Sequence, residues 1–151
     1  VSAGAISESP SLRVKAMYKI IGELESLGDS GELISRILSR RNVHNKTFDA
    51  TTIKKLEDMV DAVDKAYDAM IVNLEAAHMG ELQTITNAYN AEDRINNLRT
   101  NLRDAEIEGI ESGEKNYQTS VYYIDIVNSL ERMGDFIINI SQDLEKYFVT
   151  K

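Results

Sequence analysis

Glu25 and Asp29 stand four residues apart in "LESLGDSGELI" (residues 24–34), with Glu32 close behind them. Glu131 and Asp135 repeat that spacing in "LERMGDFIINI" (residues 130–140). At about 100° per helical residue, acids at i and i+4 fall on one flank, where like charges oppose one another by about 0.2 to 0.5 kcal/mol. Each pair also encloses a glycine, Gly28 or Gly134, and glycine inside a helix costs about 1 kcal/mol relative to alanine. A sequence that accepts both costs twice needs something that offsets them. Adjacent carboxylates with little opposing charge make an oxygen-rich pocket suited to Mg, Mn, Ca or Fe. Glu25, Asp29, Glu131 and Asp135 are therefore the candidate metal ligands, with Glu32, Asn139 and Asp93 as weaker candidates. The two glycines mark points where a neighbouring helix can come close.

The likeness of the two segments extends beyond the acids. A shift of 106 positions lays Ile20 on Ile126, Leu24 on Leu130, Gly28 on Gly134, Ile34 on Ile140, Ser35 on Ser141 and Leu38 on Leu144. Any pair of bundle helices shares heptad-like apolar spacing, so the Ile and Leu matches alone carry little. With 25 acids in the chain, one acidic i,i+4 pair on a solvated face is also common. A solvated face drifts freely, however, and would seldom keep Glu, Gly and Asp in one register. Beside the second acidic pair, Phe136 sits off the main apolar stripe. With Ile138 it is expected to form an apolar patch for partner contact, the competing reading being packing against another helix.

Other chemistry finds little support. His44 and His78 fall in a loop and at a helix end, and neither forms the Glu-x-x-His pair of a ferritin-like di-iron centre. There is no cysteine, hence no disulfide and no thiolate site. No glycine-rich phosphate loop and no Ser-His-Asp set is visible, so a catalytic role is not expected. A net charge of −8 with arginines scattered among acids argues against nucleic acid. No run of about 20 apolar residues is present to span a membrane. The chain opens "VSAGAISESP" without an initiator Met, and it is expected to be a piece of something longer.

The elements that must position the acids read as helices. One proline, no tryptophan, and apolar residues at helical spacing in a chain of 151 residues point to one all-α domain. The spacing predicts helices near 10–41, 51–79, 81–109 and 115–148. Ser9 is the expected cap before Pro10, Thr51 or Thr52 the expected cap of the second helix, and Gly80 its stop. The expected core stripes are Ile20, Leu24, Leu27, Ile34 and Leu38 in the first helix, and Leu56, Met59 or Val60, Val63, Tyr67, Met70 and Leu74 in the second. The third carries Ile85, Tyr89, Ile95, Leu98, Leu102 and Ala105. Short connections make this an antiparallel up-down four-helix bundle. Glu57, Asp61, Asp64 and Asp68 form a further acidic ladder on the second helix, facing the motif or water. The tyrosines are expected at core edges with wet hydroxyls.

Taken together, "IIGELESLGDSGELISRIL" and "IVNSLERMGDFIINISQDL" resemble the two signature helices of PhoU, the bacterial phosphate-signalling family, whose duplicated three-helix repeats each carry an ExxxD motif. The resemblance implies that residues 10–41 are the last helix of a first repeat and 50–147 a complete second repeat. It makes the chain, 1–151, a single PhoU-like domain. "GELESLGDSGELISRIL" is most similar to the PhoU-like region attached to bacterial sodium/phosphate cotransporters. That implies a non-enzymatic regulatory domain, cytoplasmic and tethered to the inner membrane through a preceding transporter region. The implied partners are the membrane-embedded transporter part or a phosphate-signalling kinase, and a homodimer is allowed. The family's metal clusters also draw on neighbouring helices. Here the third helix offers Glu92 and Asp93 but then places Asn96, Asn97, Arg99 and Arg103 where more acids would help. A purely structural helical adaptor without metal and a carboxylate-metal enzyme are the alternatives.

Overall fold

A computed structural model describes the backbone of residues 3–43 and 48–150 and the side chains of residues 10–37, 39 and 48–150. Its elements are α1 (Ala3–Val43), α2 (Ala50–His78), α3 (Thr86–Glu111) and α4 (Tyr117–Phe148), with no strand among the described residues. Local chemistry sets the helix ends. Asp49, not Thr51 or Thr52, caps α2 by accepting the Thr52 amide at 2.7 Å, and Thr52 is itself buried. Asp is as good a cap as Thr, and its carboxylate also favours the positive end of the helix. Gly80 stops α2 as expected, at φ +71°, where a Cβ would be strained. Asn116 starts α4 by accepting the Thr119 amide at 3.1 Å.

Two boundaries differ from the expectation. α1 starts upstream and carries Pro10 in its interior, so Pro10 does not open the helix; the Ser9 side chain lies outside the described residues. α3 begins at Thr86 rather than near 81, because Leu82 and Ile85 are drawn into the core as an irregular link. Burial of two large apolar side chains, worth about 1.5 to 3 kcal/mol each, outweighs one more helical turn.

α4 is the central helix. α1, α2 and α3 all pack on it, α2 and α3 also pack on each other, and α1 makes its close backbone contacts with α4 alone. Successive helices run antiparallel. Lys19 pairs with Asp143 at 2.9 Å and Asn139 donates to Glu23 at 3.4 Å, which fixes the antiparallel register of α1 on α4. Continuing that register brings Gly28 level with Gly134. The bundle is thus a three-helix unit, α2 to α4, with the first helix laid along its central member.

The core selects among the expected stripes. Met59, Met70, Ile85, Ile95, Val127 and Ile140 are almost wholly buried. Met59 rather than Val60 faces inward, and Tyr67, Leu24, Tyr89 and Ala105 are exposed. On α3 the buried neighbour is Glu106, which accepts a 2.6 Å bond from the Ser120 hydroxyl. Leu38 and His44 fall outside the described side chains. A second polar knot ties three helices: Asn73 of α2 exchanges amide bonds with Asn87 of α3 at 3.1 Å and donates to Ser141 of α4 at 3.2 Å. Each such bond nets only about 0.5 to 1.5 kcal/mol, but a buried group left unpaired costs about 1 to 3 kcal/mol, so the knots fix register more than they add stability. Tyr123 departs from the edge-tyrosine expectation: it is 1% exposed and its hydroxyl has no hydrogen-bond partner. Burial pushes that hydroxyl well above the usual phenol range, with Glu106 adding to it. No helix among the described residues is long and apolar enough to cross a membrane.

Candidate functional site

The second acidic pair sits where α3 crosses α4, and a glycine makes the crossing possible. A Cβ built on Gly134 would lie 2.9 Å from Cδ1 and 3.3 Å from Cγ2 of Ile95, closer than real contacts allow. The missing side chain lets α3 approach, and the approach half-buries the carboxylates that flank it. Burial pushes both Glu131 and Asp135 above the usual carboxylate range. Asp135 raises Glu131 further. The field of Arg99 works the other way on both. Arg99 Nε stands 3.9 Å from Glu131 Oε1, too far for a hydrogen bond, and is itself buried without a hydrogen-bond partner.

Glu92 of α3 completes this cluster. Burial raises its pKa first, followed by Asp135, Asp93 and Glu131. The sequence ranked Asp93 above it as a ligand, yet Asp93 is exposed and contributes only its field. Heptad drift on α3 turns Glu92 toward α4 and its neighbour outward, a distinction that adjacency alone does not reveal. Arg99, expected to weaken an acidic site, is instead its counter-ion. The cluster therefore brings three half-buried carboxylates together within the fields of Arg99 and Arg132. What it offers chemically is a set of hard oxygen donors.

The first acidic pair is placed differently. Glu25 and Asp29 are exposed on α1, and a Cβ on Gly28 would meet nothing within 4 Å. No helix crosses there. Glu32 is exposed and ion-paired with Arg36 at 2.7 Å, which holds its carboxyl below the usual range. Asn139 does not continue the Glu131–Asp135 ladder, because it turns toward Glu23 of α1. Among the described residues no three Asp, Glu or His side chains are grouped so as to hold a metal ion. The two ExxxD copies thus do not converge on one centre.

The apolar patch expected at Phe136 and Ile138 does not form. Ile138, one turn on from Gly134, is 4% exposed within the core, and Phe136 is half-buried against it. The close α3 crossing that Gly134 permits covers that side of α4, so the packing reading prevails. His78 is exposed at the end of α2. The α2 ladder Glu57, Asp61, Asp64 and Asp68 faces outward, and Asp61 pairs with Lys65 at 3.0 Å and Arg94 at 3.8 Å.

Residues 74–144 match the family model of the PhoU domain, a stretch that covers most of α4, all of α3 and the end of α2. Over these residues the chain is therefore similar to a PhoU domain. No curated protein and no solved structure matches the chain.

Proposed function

We propose that this chain is the cytoplasmic regulatory part of a bacterial phosphate transport system, attached to a sodium/phosphate cotransporter and acting on it without catalysis. The observation that carries the reading is the PhoU-domain match over residues 74–144. The resemblance of "GELESLGDSGELISRIL" to transporter-attached copies supplies the transporter context. A regulatory domain should set when transport occurs rather than how a phosphate crosses. Sodium-driven uptake of radiolabelled phosphate by a cotransporter bearing this domain should fall in phosphate-replete cells, and removing the domain should keep it high. Identical uptake with and without the domain at every external phosphate level would rule the reading out.

A second reading concerns a divalent cation at Glu92, Glu131 and Asp135. It is favoured by the elevated pKa values of these half-buried carboxylates, which burial raises against the fields of Arg99 and Arg132. Without three converging ligands, the donor set suits an ion held by one or two carboxylates and otherwise by water, the habit of Mg²⁺. The cation would neutralise charge that burial makes costly. Millimolar MgCl₂ or MnCl₂ should raise the melting temperature more than NaCl of equal ionic strength, the tenfold-over-Kd increment being about 1.4 kcal/mol. Glu131→Gln with Asp135→Asn should erase that excess, whereas Glu25→Gln with Asp29→Asn should keep it. An excess lost only in the α1 variant would move the site to α1.

A further inference from the structure

α1 and α4 meet through corresponding surfaces. The repeat at 106 positions lays Lys19 on Asp125, Glu23 on Ser129, Leu33 on Asn139 and Ile37 on Asp143. Ile37 stands as far beyond Lys19 on α1 as Asp125 stands before Asp143 on α4, so the antiparallel register that joins Lys19 to Asp143 also levels Ile37 with Asp125. The bond between Asn139 and Glu23 is matched in the same way by the level of Leu33 and Ser129. Burial follows the correspondence: Lys19 and Asp125 are exposed, whereas Ile37 and Asp143 are buried. The seam is therefore close to twofold in its backbone, and the face that α4 turns to α1 is the counterpart of the face that α1 turns to α4. These are the faces the two helices already cover for each other, not the open flank of α1. A face that matches its own counterpart can also pair with itself in a second copy, as the isologous surfaces of twofold dimers do.

The side chains break that symmetry at one end. The Asp143 side chain is only 7% exposed, its Oδ1 accepts a 2.9 Å bond from Lys19, and its Oδ2 is buried without a hydrogen-bond partner. Lys19 is its one ion-pair partner among the described residues, and the hydrogen bond and field of that carboxylate hold the ammonium above the usual lysine range. At the other end the place of Asp143 is taken by Ile37, which needs no charge from Asp125. A buried carboxylate that loses its cation is strongly destabilised, so α4 requires a positive group opposite Asp143. A second α4 brings the wrong one. In a contact between two copies of α4, Asp125 of each would lie where Lys19 now lies, setting carboxylate against carboxylate at both ends.

We propose that Lys19 and Asp143 select the partner of α4: the ion pair holds α4 to α1 of its own chain and keeps it from α4 of a second copy. The seam is thus a self-association surface that one charge pair closes. Specificity of this kind comes as much from repulsion in the wrong complex, here Asp125 against Asp143, as from attraction in the right one. It is independent of the α3–α4 carboxylates and of any transporter context.

Hydrogen exchange and sedimentation on the 151-residue chain test it. Lys19→Asp should speed exchange in residues 10–27 by about tenfold or more while α3 stays protected, because α1 loses the pair that seats it. Its mass should not change, since Asp125 still opposes Asp143 in any α4 pairing. Lys19→Asp with Asp143→Lys puts both charges back in reverse and should restore slow exchange. Lys19→Asp with Asp125→Lys should double the sedimenting mass at equal concentration, because the lysine at position 125 then meets Asp143 of the second copy. Asp125→Lys alone should not, because Lys19 is held beside Asp143 at the high effective concentration of one chain. Adding Asp143→Lys to the associating variant should return it to the mass of the unmodified chain. Exchange unmoved by Lys19→Asp, or not restored by the charge reversal, would deny the ion pair its role and overturn the proposal. So would a Lys19→Asp, Asp125→Lys variant that keeps the mass of the unmodified chain, or one whose association survives the addition of Asp143→Lys, since α4 would then not be pairing with itself.

Discussion

Glu25-Ser-Leu-Gly28-Asp29 and Glu131-Arg-Met-Gly134-Asp135 are one motif in two environments. On α4 the glycine admits Ile95, α3 closes over the helix, and the flanking carboxylates rise in pKa under burial. On α1 the glycine meets nothing and the acids stand in solvent. The motif is therefore not an acidic site in itself. It is a notch that becomes one when another helix is laid across it, because only then are the carboxylates desolvated. Three measurements can break or sharpen that contrast.

The largest effect should come from filling the notch. Gly134→Leu drives a side chain into Ile95, and overpacking of a set core costs about 1 to 3 kcal/mol, enough to exceed the helix-propensity gain of about 1 kcal/mol. Gly28→Leu keeps the gain without the clash. Urea denaturation should therefore move the two midpoints in opposite directions, down for position 134 and up for position 28. A common direction would mean that α3 does not approach α4 as closely as Ile95 indicates.

The difference between the two copies also marks where sequence reading stops. Four helices, the Gly80 stop, the repeat and the antiparallel course were legible because apolar period and turn chemistry are local signals. Burial of Glu106 in place of Ala105 was not, nor was which of Met59 and Val60, or of Glu92 and Asp93, turns inward. In each case a neighbour one position away lies only 100° around the helix, and the partner helix's azimuth decides which of the two faces inward. Asp49 as the α2 cap was missed for a simpler reason: three adequate caps stand within four residues, and the first to reach an open amide takes the role. The exposure of the α1 copy was illegible, since nothing within that helix says whether another will cover it.

A smaller effect tests the electrostatic half of the contrast. The folded pKa values of Glu131 and Asp135 lie above their ordinary values, so both carboxylates bind protons more readily in the native state than in the unfolded chain. The stability this contributes is complete in acid, below the ordinary carboxylate range near pH 4, and is lost as pH rises through the elevated values. Glu131→Gln with Asp135→Asn should accordingly stabilise the protein at pH 7, by about 1 kcal/mol on the scale of a partly screened charge interaction. The gain should vanish toward pH 3.5. Melting curves from pH 3.5 to 7.5 decide it: a gain independent of pH would assign the effect to packing or propensity and not to desolvated charge.

The smallest effect concerns the open notch alone. Gly28→Ala places a methyl group where no atom lies within 4 Å, so the folded state gains no contact and suffers no clash. What changes is the unfolded chain, which loses the extra conformational freedom of glycine, and the substitution should stabilise the protein by about 0.5 to 1 kcal/mol. The same substitution at Gly134 combines an equal entropic gain with a Cβ only 2.9 Å from Ile95 Cδ1, so its net effect should be lower, and the gap between the two alanine variants measures the crossing itself. Equal shifts in midpoint for the two, with unchanged denaturant slopes, would show that the side chain of Ile95 yields freely. The glycine of the α4 motif would then be dispensable for helix approach, and the contrast would rest on the carboxylates alone.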